Sequence, residues 1–347
     1  MTLRARMASA GLGAERVNQL VETIAASGGP YRAGRSALRS RLAAEFRIAL
    51  RAGGRLEAND PALERELVAS EGFRNLLDRL WPSVSAPALV RDLFGRPDRL
   101  AGAAAGLLTE GEVDTLAGGA GGAGGVRRGW SADDLPLLDE AAFLIEGRAR
   151  VFGHVVLDEA QDLTPMQLRM VARRAPHGSL TALGDLGQAT GPWPYDRWDE
   201  LLAHLPGRSP VSREELVRGY RAPGQVLDLA SRLLAAAAPT VRPTESIRRG
   251  PEPPRFRAVA REELLSAGLE EALRLAAGGD LVGLVVPSDR RLEAMAVAGG
   301  RGDVGRLEED GMSRPVTLLS PEGAKGLEFD SVVVVEPAAI AGGDRRG

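Results

Sequence analysis

The chain has 347 residues, 44% of them hydrophobic and 26% charged, and its formal net charge at pH 7 is −3. These values are typical of a soluble globular protein with room for two domains, and no apolar run reaches the roughly 18 residues of a membrane span. The absence of cysteine excludes disulfides and thiolate metal sites. With no apolar stretch near the N-terminus to act as a secretory signal, we expect a cytoplasmic protein without a membrane partner. The charge balance also lacks the basic excess of proteins held on nucleic acid mainly by phosphate contacts.

Residues 1–116 have the pattern of a helical region. Four apolar residues spaced four apart predict one buried stripe along a long helix: Leu38, Leu42, Phe46 and Leu50. Because glycine disfavours helical backbone, we expect Gly53 and Gly54 to end this helix.

Two shorter helices and a glycine-rich break complete this region. The helices are predicted at residues 85–95 and 108–118. Thr109 and Glu112 have the spacing of a capping box, which predicts that the second helix begins there. The run AGGAGGAGG at residues 117–125 follows, and we interpret it as a flexible boundary.

After the break, short apolar runs alternate with helical stretches. Runs of strand length lie at residues 151–160, 178–187, 280–289, 315–323 and 329–337. Stretches with a helical pattern lie between them, at residues 164–175, 223–238 and 261–279. Buried strands that alternate with helices indicate an α/β fold with parallel sheets.

Asp158 and Glu159 carry the strongest chemical signal. They follow an apolar run in HVVLDEAQDL (154–163), and open α/β sheets bind ligands at the carboxyl ends of their strands. One carboxylate can hold Mg²⁺, directly or through water, while its neighbour orients or deprotonates an attacking water. The alternative is an acidic turn that caps the helix beginning near Thr164 and Pro165. An Asp-Glu pair alone favours that alternative, whereas the whole Asp-Glu-Ala-Gln-Asp string favours the functional interpretation.

A second apolar run, LTALGDLGQAT (180–190), ends in Gly184, Asp185 and Gln188. A glutamine at this position can contact a γ-phosphate or its attacking water. By itself, Gly-Asp-x-x-Gln is an ordinary exit from a strand into a turn. Since one helix separates this run from the acidic one, we expect the two strands to be neighbours in a sheet.

Tyr220 and Arg221 precede a helix that we expect to begin near Pro223, in LVRGYRAPGQVL (216–227). The guanidinium fork of an arginine suits a transferring phosphate, and the face of a tyrosine suits a purine base. A surface Tyr-Arg pair at a helix N-terminus is the alternative, and it is the simpler explanation of this motif alone.

Lys325 is the only lysine in the chain, and every other basic residue among the 44 is arginine. It lies in SPEGAKGLEFDSVVVVEP (320–337), where Gly323 and Gly326 allow the backbone to approach a ligand or a partner domain closely. A compact ammonium offers a point charge that a planar guanidinium does not imitate, and Glu328 can accept hydrogen bonds from a ribose or an arginine. Chance placement of a lone lysine in a loop is the alternative.

Together, these four motifs resemble motifs II, III, IV and V of the UvrD/Rep-type superfamily 1 helicases. Asp-Glu-Ala-Gln-Asp is similar to that family's Walker B motif, and AKGLEFD to its motif V. The segments that narrow the resemblance to HelD-type, RNA polymerase-associated helicase-like proteins are GDLGQATGPW, LWPSVSAPALVRDLFG, WSADDLPLLDEA and EGAKGLEFDSVVVVEP. The resemblance covers residues 75–347. Gly219, where the family commonly has asparagine, and Thr190, where it often has an aromatic residue, depart from the pattern.

The resemblance implies two RecA-like domains that bind ATP and Mg²⁺ between them and act on nucleic acid. It implies that Asp158 serves Mg²⁺, Glu159 the attacking water and Gln188 the γ-phosphate, with Asp185 beside it in the nucleotide site. Trp193 lies near the position where such helicases stack a base. A tryptophan buried in the core is the alternative for that residue.

The resemblance places the remaining site residues in the second domain. Arg221 would reach across to the γ-phosphate, and Tyr220 would stack on adenine. Lys325, Gly326 and Glu328 would couple the nucleotide to the second domain and to the nucleic acid. We therefore expect one crevice, shared by both domains, that holds the acidic pair, the glutamine and the arginine.

The organisation that follows is a helical region at residues 1–125 and two partial RecA-like domains at residues 126–207 and 208–347. No Gly-x-x-x-x-Gly-Lys-Ser/Thr is present, so the Walker A loop and its lysine are missing. The family's motif VI is missing as well. We therefore expect an internal piece of a longer protein, with the first helices left from an insertion, and we expect no ATP hydrolysis by this chain alone.

Three functions remain open. The first is an ATP-dependent nucleic-acid motor that binds RNA polymerase and remodels or releases it. The second is a conventional DNA-unwinding helicase, which the charge balance disfavours. The third is a non-catalytic interaction module that kept the fold and lost the chemistry. The missing Walker A loop fits this module, whereas the presence of Asp158, Glu159, Gln188 and Arg221 argues against a long-standing loss of chemistry.

Overall fold

The computed structural model describes residues 2–5, 8–52, 61–119, 129–191, 193–205, 210–250 and 252–342. It is a mixed α/β protein with small parallel sheets, as the alternating pattern predicts. The chain divides into two compact units, Met1–Gly184 with Trp198–Val211 and Asp185–Arg197 with Ser212–Gly347. Within the described ranges, none of the helices has the length and apolar character needed to cross a membrane.

The first unit is mainly helical. Its strands are β1 (Thr2–Ala5), β2 (Ala8–Gly11), β3 (Val155–Leu157) and β4 (Leu180–Ala182). Its helices are α1 (Ala14–Ala25), α2 (Tyr31–Ala52), α3 (Pro61–Ala69), α4 (Glu71–Leu80), α5 (Ala86–Phe94), α6 (Pro97–Ala103), α7 (Glu110–Gly119), α8 (Leu135–Glu146), α9 (Pro165–Ala172) and α10 (Trp198–Leu202).

The long helix α2 carries the apolar stripe that its sequence predicts. All four residues of the stripe are buried in one core: Leu38, Leu42, Phe46 and Leu50. Phe46 meets Phe73 of α4 edge-on, with ring centroids 6.3 Å apart. Gly53 and Gly54, which we expect to end the helix, lie outside the described residues.

The first residues of the chain correct the expectation of an all-helical start. β1 and β2 pair antiparallel, with Thr2 opposite Gly11 and Ala5 opposite Ala8. The local sequence explains the difference, because TLRA and ASAG lack the spacing of three and four residues that a helical stripe needs.

The two short helices occur as α5 and α7. Thr109 and Glu112 form the expected capping box of α7: the Thr109 N–H donates to Glu112 Oε2 over 2.8 Å, and the Glu112 N–H donates to Thr109 Oγ1 over 3.4 Å. The Glu112 carboxylate accepts hydrogen bonds from the Thr109 backbone N–H and from the Thr109 hydroxyl, and these two bonds lower the pKa of Glu112. Helix α7 continues to Gly119, so the beginning of the expected break is helical, and residues 120–128 lie outside the described part.

Helices α8 and α9 are joined by a cluster of charged residues. Arg173 Nη1 lies 2.5 Å from Asp139 Oδ2, and Arg173 also pairs with Glu140. Its guanidinium lies 4.9 Å from the ring centroid of Phe143. Arg174 Nη2 lies 2.5 Å from Asp139 Oδ1, and this hydrogen bond raises the pKa of Arg174. The cluster fixes α9, which directly follows the acidic motif.

The second unit contains the larger sheet. Its strands are β5 (Arg218–Gly219), β6 (Glu245–Ser246), β7 (Val282–Val285), β8 (Val304–Arg306), β9 (Val316–Leu319) and β10 (Ser331–Val334). Its helices are α11 (Gly224–Ala237), α12 (Leu264–Ala277), α13 (Arg291–Ala298), α14 (Leu307–Asp310), α15 (Pro321–Ala324) and α16 (Pro337–Gly342).

Four parallel strands form this sheet, in the order β10-β7-β9-β8. Both inner strands, β7 and β9, are buried along their whole length, which explains why neither contains a charged residue. The outer strand β10 leaves Val332 and Val334 exposed. Sequence reasoning missed β8, because Val-Gly-Arg is too short and too polar to stand out.

The division into domains at residues 125, 207 and 208 stays a prediction, as does the RecA-like character of the two α/β parts. The helices of residues 14–119 and the strands β3 and β4 belong to one compact unit. Residues 185–197 belong to the second unit, although they directly follow β4 in the chain.

Candidate functional site

The acidic motif lies at the carboxyl end of β3, where its sequence predicts it. Strand β3 pairs in parallel with β4, with Val155 opposite Leu180 and Leu157 opposite Ala182. This confirms that the two motif-bearing strands are sheet neighbours. Asp158 follows β3 and is exposed. Its Oδ1 accepts the backbone N–H of Glu159 over 2.9 Å, which holds the carboxylate next to the end of the strand.

Glu159 has a left-handed backbone with φ 51° and ψ 40°. Such a conformation is uncommon for a residue other than glycine and clusters at functional sites. The alternative role of the acidic pair as a helix cap is wrong, because Thr164 caps α9. Thr164 Oγ1 accepts the Gln167 N–H over 3.3 Å, and Gln167 Oε1 accepts the Thr164 N–H over 2.7 Å.

Gln161 contacts Glu159, and Gly184 packs against Gln161. Gln161 is fully buried, and its Nε2 donates to Glu159 Oε2 over 2.6 Å. A Cβ atom on Gly184 would lie 2.2 Å from Gln161 Oε1, so only glycine leaves room for the carboxamide. The backbone joins the same two loops, since the Ala160 N–H donates to the Leu183 carbonyl over 2.9 Å.

The donor chemistry of Asp158 fits Mg²⁺. Asp158 offers a carboxylate, the hard oxygen ligand that Mg²⁺ prefers, and Mg²⁺ takes its remaining ligands from water and phosphates. No group of three or more potential metal ligands is close enough to hold an ion, as far as the described ranges extend.

Asp185 and Gln188 form a tight turn in the second unit. Asp185 Oδ1 accepts the Gly187 N–H over 2.9 Å, and its Oδ2 accepts Gln188 Nε2 over 2.7 Å. The backbone N–H of Gln188 also donates to the Asp185 carbonyl over 3.0 Å. The turn holds the exposed carboxamide of Gln188 beside a carboxylate, so the motif has the strand-exit geometry that its sequence alone suggests.

Lys325 contacts the same turn. Its Nζ donates to the Gln188 carbonyl over 2.7 Å and lies 3.5 Å from Thr190 Oγ1. The only lysine of the sequence is therefore bound to the backbone of the glutamine motif. A compact ammonium suits this geometry because it directs three donors from a single atom.

The structure explains Gly323 and Gly326 differently from the sequence analysis, which expects them to allow close approach of a ligand or a partner domain. Gly326 has φ +74°, and nothing lies within 4 Å of the position of its Cβ. A Cβ on Gly323 would make only ordinary contacts, the nearest 3.5 Å away, to Ser320 Oγ. Within the described residues, Gly326 is therefore required by its left-handed backbone, not by the close approach of another segment.

Arg221 forms an ion pair with Glu328. Arg221 Nη2 lies 2.6 Å from Glu328 Oε1, and both side chains are exposed. Of the two partners that the sequence allows for Glu328, a ribose or an arginine, the second is present. Tyr220 is 75% exposed, so its ring is open for stacking. Helix α11 begins at Gly224 with Pro223 as N-cap, as its sequence predicts.

The loop that carries Lys325 follows β9, next to the point where the order of the strands changes direction. After β7 the chain proceeds to β8 on one side, and after β9 it returns to β10 on the other. Ligands of open α/β sheets bind outside the carboxyl ends of strands at such a point. Ser288, after β7, donates to Glu322 Oε2 over 3.0 Å. The pKa of Glu322 is lowered by its own backbone N–H, by Ser320 and by Ser288.

Trp193 is 55% exposed, so the alternative of a tryptophan buried in the core is wrong. Tyr195 is the buried aromatic residue of this segment, and burial raises its pKa. The backbone carbonyl of Asp196 accepts the hydroxyl of Thr240 over 2.9 Å. Trp193 therefore projects from a segment that is held at both ends, by Lys325 and by Thr240.

The structure brings together two groups of the predicted site residues. Asp158 and Glu159 belong to the first unit. The second unit holds the remaining ones, Asp185, Gln188, Tyr220, Arg221, Lys325, Gly326 and Glu328. A crevice shared by both groups stays a prediction.

Sequence reasoning missed several residues that complete these groups. Gln161 and Gly184 occur in the quoted motifs, but nothing in one sequence shows that they touch. Ser288 and Glu322 lack any signal beyond their position after a buried strand, which places them at the carboxyl edge of the sheet.

The sequence matches no known protein-family model and no curated protein.

Proposed function

We propose that this chain is part of an ATP-dependent nucleic-acid motor of the UvrD/Rep type, similar to HelD-type proteins that remodel or recycle RNA polymerase. The observation that supports it best is the pair Asp158 and Glu159 at the carboxyl end of a parallel strand, with Glu159 in a left-handed backbone conformation. In this proposal the two units are incomplete RecA-like domains, and ATP with Mg²⁺ is the cofactor.

The chemistry assigned to the first unit is the activation of water. Glu159 would accept a proton from a water molecule whose oxygen forms a bond to the γ-phosphorus. The bond between that phosphorus and the β,γ-bridging oxygen breaks, and its electron pair leaves with ADP. The proton then passes from Glu159 to the released phosphate. Asp158 would hold Mg²⁺, which supplies charge neutralisation on the phosphate oxygens when bound.

The second unit would contact the γ-phosphate and the base. Arg221 offers a guanidinium fork for a phosphate and Tyr220 an exposed ring for adenine. Gln188 would report the γ-phosphate through the turn that Asp185 and Lys325 hold. In the proposed cycle, Arg221 exchanges its contact with Glu328 for the phosphate.

Metal-dependent nucleotide binding tests the proposal. Mn²⁺ replaces Mg²⁺ as a paramagnetic probe, and we expect ATP to increase Mn²⁺ binding to the chain in electron paramagnetic resonance titrations. Asp158→Asn should remove the increase because a carboxylate ligand is lost, while Asp98→Asn, an exposed residue in the first turn of α6, should preserve it. Equal Mn²⁺ binding by the wild type with and without ATP would refute the proposal.

The macromolecule that the chain binds distinguishes the polymerase-associated motor from the other two candidate functions. A tagged chain should retain RNA polymerase subunits if it is HelD-like, and should bind single-stranded DNA with salt-sensitive affinity if it is a conventional helicase. The absence of a Walker A lysine favours the third candidate, a non-catalytic interaction module. Polymerase binding without any nucleotide binding would support that module and not the motor.

A further inference from the structure

We propose that Gln161 is a positioning residue that fixes the orientation of the Glu159 carboxylate. Its Nε2 donates to Glu159 Oε2 over 2.6 Å, which is a short hydrogen bond. This bond selects one rotation of the carboxylate and directs its other oxygen, Oε1, away from the carboxamide. The catalytic significance of this orientation rests on the proposed function, but the orientation itself does not.

The position of Gln161 supports a positioning role because the side chain cannot turn away. It is one of three buried polar or charged residues in the described part of the chain, with Asp134 and Thr317. Removing a carboxamide from water costs free energy unless its hydrogen bonds are made inside the protein. Gln161 is therefore kept for its hydrogen bonds, since an apolar residue of the same size would fill the space more favourably.

The loop after β4 sets the other side of the carboxamide. Gly184 lies so close that a Cβ there would be 2.2 Å from Gln161 Oε1 and 3.2 Å from the Ala160 nitrogen. The Leu183 carbonyl accepts the Ala160 N–H over 2.9 Å, so this loop cannot retreat without breaking the bond. Gln161 is thus held between the carboxylate and the backbone of the neighbouring strand.

Different groups orient the two carboxylates at the start of the Asp-Glu-Ala-Gln-Asp string. Asp158 is oriented by the backbone of the next residue, whereas Glu159 is oriented by a side chain two residues further on. The short helical turn at Ala160–Asp162 places that side chain beneath the carboxylate. The motif therefore needs its fourth residue to present the second carboxylate in one orientation.

Two substitutions disturb the contact from opposite sides, and each has a matched control. Gln161→Met keeps the length of the side chain and removes the donor, and Gln167→Met is its control in the cap of α9. Gly184→Ala displaces the carboxamide without changing Gln161. Its control is Gly153→Ala, because nothing lies within 4 Å of that Cβ position.

The first measurement follows the side-chain carboxyl carbon of Glu159 by NMR in chain labelled with ¹³C-glutamate, with the resonance identified by its loss in Glu159→Gln. We expect Gln161→Met and Gly184→Ala to move this resonance and both controls to leave it in place. If Gln161→Met does not fold, Gly184→Ala still decides the matter. An unmoved resonance in the folded variants would overturn the assignment, whether or not nucleotide binds.

The second measurement compares the affinities for Mg²⁺-ADP and for Mg²⁺-ADP with aluminium fluoride, a mimic of the transferring phosphoryl group. If Glu159 acts on the attacking water, the wild type should prefer the mimic, and loss of Gln161 should reduce that preference by about tenfold or more while ADP affinity changes little. No nucleotide binding by the wild type would refute the proposed function and leave the NMR result to decide the role of Gln161. An undiminished preference in Gln161→Met would contradict that role directly.

Discussion

Arg221 and Glu328 form an ion pair of 2.6 Å between two motifs that are distant in the sequence of the second unit. One motif precedes helix α11, and the other follows the strand β9 of the four-stranded sheet. The pair shows that the loop after β9 reaches the arginine motif. In the proposed function, a nucleotide bound at Arg221 would have to replace this contact.

We expect the Arg221–Glu328 pair to contribute little to stability. Both partners are exposed, and exposed ion pairs are typically worth about 0.2–1 kcal/mol. A double-mutant cycle with Arg221→Ala and Glu328→Ala, measured by urea unfolding, should give a coupling free energy in this range that falls with added salt. The wider pair of Arg242 and Glu215, at 3.6 Å, is the reference and should couple less. A salt-independent coupling above about 2 kcal/mol would contradict this prediction.

Lys325 should hold the segment that carries Gln188. Lys325→Met removes the donor to the Gln188 carbonyl but keeps most of the apolar stem, so amide hydrogen exchange in residues 185–197 should become faster. Lys325→Arg should restore part of the protection, because a planar guanidinium fits this contact less well. The control is Arg314→Met, which removes a different hydrogen bond to a backbone carbonyl, that of Gly302 at 3.0 Å. Equal exchange in wild type and Lys325→Met would contradict the contact.

Arg173 should be the most important member of its charged cluster for the stability of the first unit. Its side chain is 9% exposed and pairs with both Asp139 and Glu140. Arg173→Met removes both of these ion pairs, but Asp139 keeps Arg174 and Glu140 keeps Arg169. The free energy of unfolding should therefore fall by about 2 kcal/mol, less than for a buried charge left without any partner. Arg169→Met removes an exposed partner of Glu140 and should cost less than about 1 kcal/mol. Similar losses in both variants, measured by urea unfolding, would refute this ranking.

Glu322 should make the stability of the second unit depend on pH in the acidic range. Its pKa in the folded chain lies below the ordinary value of 4.5, so the unfolded chain takes up the proton first as the pH falls. The carboxylate therefore stabilises the fold above about pH 4.5, and this contribution is lost as the pH falls through the folded pKa. The stability difference between wild type and Glu322→Gln should be full at pH 7 and shrink toward pH 3. Replacement of the exposed Glu262 by Gln is the control. A stability difference between wild type and Glu322→Gln that grows as the pH falls would contradict the prediction.

ATP hydrolysis by this chain alone should be absent. The chain has one lysine, and it is bound to the Gln188 carbonyl, so no lysine remains to contact the β- and γ-phosphates as in a Walker A loop. Phosphate release by the purified chain should equal that of Glu159→Gln in a continuous phosphate assay. Release above this background that Glu159→Gln abolishes would show that the missing loop is not needed.

Much of the local structure was predictable from the sequence because hydrophobic period and capping are local properties. The stripe of α2, the capping box of α7 and the five apolar strands all occur where their patterns predict them. The hairpin of β1 and β2 was not predicted, since its short strands carry no clear apolar alternation. Strand β8 was missed for the same reason.

The positions of the site residues along the chain were also predictable, because strands that end in charged residues deliver them to the carboxyl edge of a parallel sheet. Which side chains meet was not. Nothing local indicates that Gln161 fills the space left by Gly184, or that Lys325 binds the Gln188 carbonyl.

These contacts join segments that only packing brings together, and their distances depend on how strands and loops of different parts of the chain stack. One sequence therefore determines the elements that have a clear apolar period or capping pattern, and the ends of those strands. The partners of Glu159, Arg221 and Lys325 follow from the folded arrangement, because a hydrogen bond depends on ångström-scale distances that no spacing along the chain specifies.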